Sequence, residues 1–170
     1  MITLKKYSYI LALDPSGNFN EGKGTTGYCL LDANSNKILE YGYIPSSDFD
    51  TMESYWYAHI KLLNRLCTKQ TILVIEDYLL YGSKRDNQIN SRMETPKLIG
   101  ALQLHCYRNH IHYILQPASE VKNRWTDKIL DHKGYFCIVG PGTKIGDKYI
   151  SKHTKDAIRH AVHFNTFKNN

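Results

Sequence analysis

The stretch YSYILALD, residues 7–14, decides the fold, because it is an apolar run of β-forming residues that ends in an acid. A short continuous run of this kind predicts a strand that is buried on both faces. The glycine-rich stretch GNFNEGKGT follows, and TTGYCLLD after it again has the composition of a strand. Two strands joined by a glycine-rich segment predict a β-hairpin, so the chain opens with antiparallel strands.

The glycine-rich stretch nearly matches the phosphate-binding loop, in which a Gly and four further residues precede Gly-Lys-Ser/Thr. Gly17, Gly22 and Lys23 fit this pattern, but Gly24 stands where Ser or Thr is required. Such a loop must also lead from a strand into a helix, so that the helix N-terminus meets the phosphate. Here the glycines lead into a strand-like run, and we therefore expect a hairpin loop rather than an ATP site.

Strand and helix patterns alternate through the rest of the chain. KILEYGYI predicts a third strand, and Asp50 with Glu53 has the spacing of a capping box, with Asp50 as the N-cap of a helix. The later segments are a strand (71–77), a helix (95–109), a strand (HYILQP), a helix (118–130), a glycine-rich loop with room for a brief strand (136–147) and a last helix (154–167). A three-stranded meander followed by crossovers predicts an α/β fold, with a mixed sheet that carries helices on its faces.

Composition limits the class of protein. The 170 residues suit one domain, and a formal net charge of +6 permits a polyanionic partner without requiring one. The four cysteines are far apart and form no CxxC pair, which predicts small apolar core residues in a reducing compartment rather than a zinc site. No run reaches the ~20 apolar residues of a membrane span. We therefore expect an intracellular protein with no membrane partner.

Acids stand at the ends of two predicted buried strands. Asp14 ends the first strand, and Glu76 lies at the end of the fourth, inside VIEDY. A carboxylate there is costly to desolvate without a partner, and a Mg²⁺ ion is a suitable partner for several carboxylate oxygens. The start of the last helix, HTKD, offers His153 and Asp156 on one helix face, and its apolar stripe would dock it on the sheet. We expect Asp156 in the first helical turn, where the helix dipole favours an anion.

Each of these residues also has an ordinary structural interpretation. An acid at a strand end is commonly a turn or cap residue, an Asp early in a helix is commonly a capping aid, and a single His at that position is commonly at the surface. The conjunction favours a metal site, because one mixed-sheet topology would gather the three acids at one place.

The motifs and their order resemble RuvC-type Holliday junction resolvases. LALDPSG with TTGYCLLD resembles the first hairpin of that family, VIEDYLLYG is similar to its I-E strand, and LIGALQ is similar to the small-residue helix that follows. HTKDAIRHAVHF resembles the family's final helix, in which D/H-x-x-D-A precedes apolar residues. The resemblance covers nearly the whole chain, and its small size is closer to the phage-encoded branch than to the bacterial housekeeping one.

The resemblance implies a ribonuclease-H-like fold, a mixed five-stranded sheet with helices on both faces, that forms a single nuclease domain over residues 1–170. It implies a homodimer that cuts opposing strands of a four-way DNA junction, with two Mg²⁺ ions per active site and Mn²⁺ as a substitute, in the cytoplasm of a bacterial host. By position, Asp14 and Glu76 match the family's first two metal-binding acids, and Asp156 matches the last. In the mechanism that this implies, we assign Asp14 as the bridging ligand, and Glu76 and Asp156 would each hold one ion. His153 matches a position that is Asp in some members and His in others, and it would bind metal or orient the attacking water or the phosphate.

DNA binding requires cations that neutralise phosphates, and aromatic side chains that stack on bases add to it. Only Lys122 falls at a recognisable family position, and solvated surface or core roles are the alternatives for the others. The candidates are Lys84, Arg85, Arg92, Lys122, Arg124, Lys128, Tyr78 and Tyr81. Gly100 and Ala101 make the helix over 95–109 the candidate dimer surface.

Two departures from the family pattern leave alternative functions open. The loop over 17–25 is longer than in the family, and residues 131–152 are hard to match, so flaps, replication forks and other branched DNA are possible substrates. A flap or RNA–DNA hybrid nuclease of the same fold and a non-catalytic branched-DNA-binding protein are the other interpretations. An actin-like ATPase also starts with a D-x-G hairpin, but that class needs two such domains.

Overall fold

The structure is a computed structural model that describes residues 6–79 and 92–170. Its main sheet is mixed and has five strands. Its order is β3-β2-β1-β4-β5, where β1 and β2 form the opening hairpin, β3 continues the meander, and β4 and β5 run parallel to β1. The bounds are Tyr9–Asp14, Thr25–Asp32, Lys37–Pro45, Thr71–Asp77 and Tyr113–Pro117. The mixed α/β sheet expected from the sequence is confirmed.

Helices cover both faces of this sheet, and they are numbered here in chain order. Packed on one face are α1 and α2; α3, α4 and α5 contribute to the other. The bounds are α1 Met52–Leu66, α2 Glu94–Arg108, α3 Ala118–Val121, α4 Asp127–His132 and α5 Lys152–Phe167, with one 3₁₀ turn at Ser46–Asp48. None of the helices in the described ranges is long and apolar enough to cross a membrane.

Alternate residues of the central strands point to opposite cores, which explains the continuous apolar run at the start of the chain. On β1, Ile10 and Ala12 pack with α5, whereas Leu11 and Leu13 pack with α1 and α2. All four side chains are fully buried. Burying both faces holds the end of β1, and therefore Asp14, in a fixed position.

Two helix starts differ from the sequence-based expectation. The N-cap of α1 is Thr51 rather than Asp50, because the Thr51 side chain accepts a hydrogen bond from the backbone N–H of Ser54, and these two residues form the capping box. The last helix begins at Lys152 rather than at residue 154, because Ser151 is its N-cap. Asp156 therefore lies in the second turn, and the prediction that placed it in the first turn is wrong.

Two further segments were wrong in detail. The helix expected over 118–130 is two short helices, because Thr126 adopts an extended conformation and caps a new start with its side chain. The segment expected over 136–147 as a loop with room for a brief strand belongs to a small antiparallel sheet of three strands, β6 (Cys137–Val139), β7 (Gly142–Ile145) and β8 (Lys148–Tyr149). The cysteines also divide: two are buried, Cys67 is partly buried, and Cys137 is exposed, so the expectation of core residues fails for Cys137.

Candidate active site

Three carboxylates meet where β1 and β4 end. These strands are parallel neighbours, so Asp14 and Glu76 lie at the same edge of the sheet, and α5 brings Asp156 to them. One carboxylate oxygen from each residue lies within 4.8 Å of the other two. Asp14 is 7% exposed and Asp156 is 3% exposed. The three acids predicted from the sequence are thus close together, and two of them are buried.

A glycine on β2 allows the start of α5 to come this close. Gly27 is paired with Asp14 across the hairpin, and a Cβ atom at Gly27 would overlap the backbone carbonyl of His153. The Thr154 hydroxyl donates a hydrogen bond to the carbonyl oxygen of Gly42 over 2.9 Å, which ties the same turn of the helix to β3. Backbone contact with the hairpin therefore sets the position of His153 and Asp156.

His153 and Asp14 form a hydrogen-bonded pair. Nδ1 of His153 lies 2.7 Å from Oδ2 of Asp14. The hydrogen bond to Asp14 raises the pKa of His153 in spite of partial burial. Burial raises the pKa of Asp14, and the charges of Glu76 and Asp156 add to this, while the contact with His153 opposes it. The pair therefore places an imidazole whose protonated form is favoured by the contact beside a buried acid of the cluster.

Lys122 is also part of this cluster. Its Nζ atom lies 3.2 Å from Oε1 of Glu76 and 3.4 Å from Oδ2 of Asp156. Burial lowers the pKa of Lys122, but the charges of Glu76 and Asp156 outweigh burial and raise it overall. The sequence predicted a phosphate contact for Lys122; the structure places its ammonium group against two carboxylates, where it offsets their charge.

Glu76 has partners on both of its carboxylate oxygens. Oε1 faces Lys122, and Oε2 lies 3.0 Å from Nε2 of His160. Burial raises the pKa of Glu76, but the contact with His160 and the Lys122 charge outweigh burial and lower it overall. The carboxylate is therefore ionised and available as an oxygen ligand at neutral pH.

Sequence reasoning missed a second basic residue beside the acids. Arg159 donates to Asp156 and to Asp127 through its two terminal nitrogens, and its Nε donates to the carbonyl oxygen of Trp125 over 2.8 Å. The side chain is 13% exposed, so the pairing occurs away from bulk water. The three-residue spacing from Asp156 on one helix was the available signal.

The other predicted DNA-binding residues that the structure describes lie at separate places and do not form one group beside the acids. The guanidinium of Arg124 stacks on the ring of Phe167 at 4.5 Å, and Tyr78 is half-buried against the core formed with α1 and α2. Arg92 and Lys128 are exposed. Three candidates lie outside the described residues: Lys84, Arg85 and Tyr81.

The glycine-rich loop packs against the start of α2. A Cβ atom at Gly17 would overlap the backbone of Glu94 and Thr95, and the Gly17 N–H donates to Oγ1 of Thr95 over 2.9 Å. Asn20 donates from its backbone to Oε2 of Glu94 over 3.3 Å. The loop leads into β2 and not into a helix, so it lacks the strand–loop–helix context of an ATP site.

Comparison with known proteins gives a structural likeness. No protein-family model matches the sequence, and no curated protein matches it. Among solved structures, RuvC of T. thermophilus in complex with a Holliday junction substrate is similar, with a TM-score of 0.66 and 13% sequence identity. The match covers 96% of this chain and 99% of that chain. The fold of this chain is therefore the ribonuclease-H-like fold of RuvC, retained along almost the full length of both chains.

Proposed function

We propose that this chain is a metal-dependent endonuclease of branched DNA, that its substrate is the four-way junction, and that residues 1–170 act as one nuclease domain. The observation that carries the proposal is the meeting of Asp14, Glu76 and Asp156 within 4.8 Å at the edge where two parallel strands end. The likeness to a RuvC–junction complex supports the choice of branched DNA over other phosphodiesters.

The donor set fits a hard divalent cation. Carboxylate oxygens are the ligands that Mg²⁺ and Mn²⁺ prefer, and the candidate metal cluster found in the described residues consists of these three acids. Asp14, Glu76 and Asp156 would together hold the divalent ions. When bound, such ions activate a water molecule and relieve charge on the leaving oxygen of the phosphodiester.

The chain's own cations complete the chemistry. In its protonated form, which the contact with Asp14 favours, His153 donates from Nδ1 to Asp14 and keeps an Nε2–H that would donate to a phosphate oxygen. Lys122 is 43% exposed and reaches the same edge, where its ammonium group would transfer from the carboxylates to the scissile phosphate as ions and DNA bind. In the hydrolysis, water oxygen bonds to phosphorus, one P–O bond breaks, and the water proton ends on the leaving oxygen.

A dimer would place two such sites on one junction. Exposed residues repeat at helical spacing along α2: Gly100 has open space around it, Leu104 is 59% exposed, and Tyr107 is 79% exposed. We propose this apolar stripe as the dimer surface. Sedimentation of the wild type and of Leu104→Glu at micromolar concentration tests it: a dimer that the charge disrupts supports the assignment, and a wild-type monomer removes it.

The function is tested by cleavage of a labelled synthetic four-way junction in Mg²⁺ and in Mn²⁺. A linear duplex of the same sequence, a flap and an RNA–DNA hybrid are run beside it, with Asp14→Asn as the inactive control. Paired cuts at symmetrical positions in the junction, lost in the variant, are the expected result.

Other results would change the proposal in defined ways. Equal cutting of junctions and flaps would make the protein a broader nuclease of branched DNA. Preferential cutting of the hybrid would replace the substrate while keeping the metal chemistry. Tight junction binding by both proteins with no cleavage in either metal would indicate a non-catalytic DNA-binding protein.

A further inference from the structure

Two buried polar side chains lie behind the acidic cluster, and the proposed hydrolysis assigns no step to either of them. His160 is on α5, four residues after Asp156 and therefore on the same helix face. Gln116 is near the end of β5 and is the direct neighbour of Glu76 in the parallel β4–β5 pairing. Both His160 and Gln116 have a relative exposure of 0%. Gln116 is hydrogen-bonded to His160, and His160 is hydrogen-bonded to Glu76, which is a candidate metal ligand.

The contacts of Gln116 fix which ring nitrogen of His160 carries the proton. Nε2 of Gln116 lies 3.2 Å from the backbone carbonyl oxygen of His160 and 2.9 Å from its Nδ1 atom. A carbonyl oxygen only accepts hydrogen bonds, so the amide group that faces it is the NH₂ donor. The second amide hydrogen then points to Nδ1, which must accept. A neutral imidazole that accepts at Nδ1 carries its proton on Nε2.

The proton on Nε2 faces Glu76. Nε2 of His160 lies 3.0 Å from Oε2 of Glu76, while Oε1 of the same carboxylate faces Lys122 at 3.2 Å. The two oxygens thus have different partners, one in the core and one at the partly exposed edge. The donor in the core holds the plane of the carboxylate and leaves Oε1 directed to the place where the other acids meet.

The orientation of the Gln116 amide group leaves its oxygen without a hydrogen bond in the described part of the chain. Its Oε1 atom is buried and has no hydrogen-bond partner among residues 6–79 and 92–170. An unpaired buried carbonyl oxygen lowers stability. The hydrogen bonds that the amide nitrogen donates to His160 account for this orientation, because they fix which ring nitrogen of His160 carries the proton.

We propose that His160 is a positioning residue for Glu76, and that Gln116 holds His160 in the Nε2–H form that this role requires. The inference rests on the proposed function, because Glu76 is a metal ligand only there. Side chains that orient a metal ligand through a hydrogen bond typically change metal affinity or activity by 10–100-fold when removed. The expected effect is therefore on metal binding itself, before any DNA is present.

The test measures Mn²⁺ affinity of the DNA-free protein by electron paramagnetic resonance, together with its thermal unfolding. His160→Leu should bind Mn²⁺ 10–100-fold more weakly than wild type, and His160→Gln, whose amide retains a donor, should recover part of the loss. Gln116→Leu should also weaken binding, since His160 then loses the contact that fixes its proton. His163→Leu is the matched control, because that buried histidine on the same helix bonds to Trp125 and to none of the three acids.

A second measurement applies to the unmodified protein. The ¹⁵N–¹H correlation pattern of the imidazole nitrogens of His160 distinguishes the two neutral forms directly. The Nε2–H form supports the proposal, and the Nδ1–H form overturns it. This result needs no variant, so it decides the matter even if His160→Leu fails to fold.

The failure of this inference differs from the failure of the proposed function. Folded His160→Leu and Gln116→Leu proteins that bind Mn²⁺ as tightly as wild type would overturn the positioning role and leave the nuclease proposal in place. A wild-type protein that binds no Mn²⁺ and cuts no DNA would overturn both.

Discussion

Nδ1 of His153 and Oδ2 of Asp14 are 2.7 Å apart, although 139 positions separate the two residues in the sequence. The contact joins the first strand of the sheet to the helix that crosses its edge. It also pairs a histidine whose pKa is raised by the hydrogen bond with an acid whose pKa is raised by burial. The local charge balance at this edge is therefore set by a contact between the two ends of the fold.

Asp14→Asn should raise the melting temperature at neutral pH while it abolishes cleavage. Burial and the neighbouring Glu76 and Asp156 disfavour the ionised carboxylate, so a neutral side chain of the same shape removes a penalty. Calorimetry of the metal-free protein checks this.

The control is Asp32→Asn, because hydrogen bonds from the backbone of Ser35 and Asn34 lower the pKa of Asp32 and favour its charged form. Asp32→Asn should give no gain, and a lower melting temperature for Asp14→Asn would contradict the prediction.

Lys122→Met should bind Mn²⁺ more tightly than wild type but bind DNA junctions more weakly. The ammonium group competes with a divalent ion for Glu76 and Asp156, so its removal frees both oxygens. It is also a cation for phosphate, and each lost phosphate contact reduces the salt dependence of DNA affinity. Mn²⁺ titration and junction binding at two salt concentrations measure the two effects. The control is Lys69→Met, which removes an equal charge at the opposite end of β4. Weaker Mn²⁺ binding by Lys122→Met would show that Lys122 increases metal affinity rather than lowering it.

Gly27→Ala should destabilise the protein and weaken Mn²⁺ binding together. The new methyl group would overlap backbone atoms of His153. Backbone atoms cannot move aside as the end of a flexible side chain can, so α5 must shift. Overpacking of this kind costs roughly 1–3 kcal/mol. Urea unfolding and Mn²⁺ titration provide the two readings. Gly100→Ala is the control, measured at a concentration where the protein is monomeric: Gly100 has open space in the single chain and lies within α2, so we expect the variant to be more stable by about 0.5–1 kcal/mol.

Stability should fall on mild acidification because of His59. This histidine is buried with Thr26 and Tyr55, and burial lowers its pKa to about 4 from the ordinary 6.5. The unfolded chain binds a proton below pH 6.5 while the folded protein does so only near pH 4, so unfolding is favoured increasingly as pH falls through that interval. Between pH 7.5 and 4.5 the difference amounts to roughly 2–3 kcal/mol.

His59→Gln isolates this effect, since glutamine can keep a hydrogen bond to Thr26 and does not titrate. Urea unfolding of both proteins at pH 7.5 and 4.5 gives the comparison. The variant should lose less stability than wild type over this interval by about the stated amount. Equal losses in the two proteins would show that His59 is not held neutral by burial.

The sheet could be predicted from the sequence because its signals are local. The run that ends at Asp14 and the run that contains Glu76 are short, continuously apolar and rich in β-forming residues, as strands buried on both faces are. The break at Thr126 that divides the predicted helix, and the pairing of β6, β7 and β8 into a sheet, were not predicted because each element is too short to show a period. Ser151 was missed as a cap because Thr154 is a comparable polar residue three positions later.

The surroundings of the acids were less accessible to sequence reasoning. Gln116 matters only because strand pairing sets it beside Glu76, and no pattern within β5 records that register. His160 had a visible signal, its four-residue spacing from Asp156, but the apolar residues around it favour interpretation as part of the core. Lys122 was identified for its charge, and its carboxylate neighbours come from other parts of the chain.

The long separation between Asp14 and the helix that carries His153, Asp156 and His160 has a consequence for the order of folding. Contacts between distant parts of a chain form late, because closing a long loop costs entropy before any contact compensates for it. A nascent or partly folded copy can hold a formed hairpin and still have its acids apart. If the chain has the proposed nuclease activity, a copy whose last helix has not docked lacks the complete site and would leave DNA uncut.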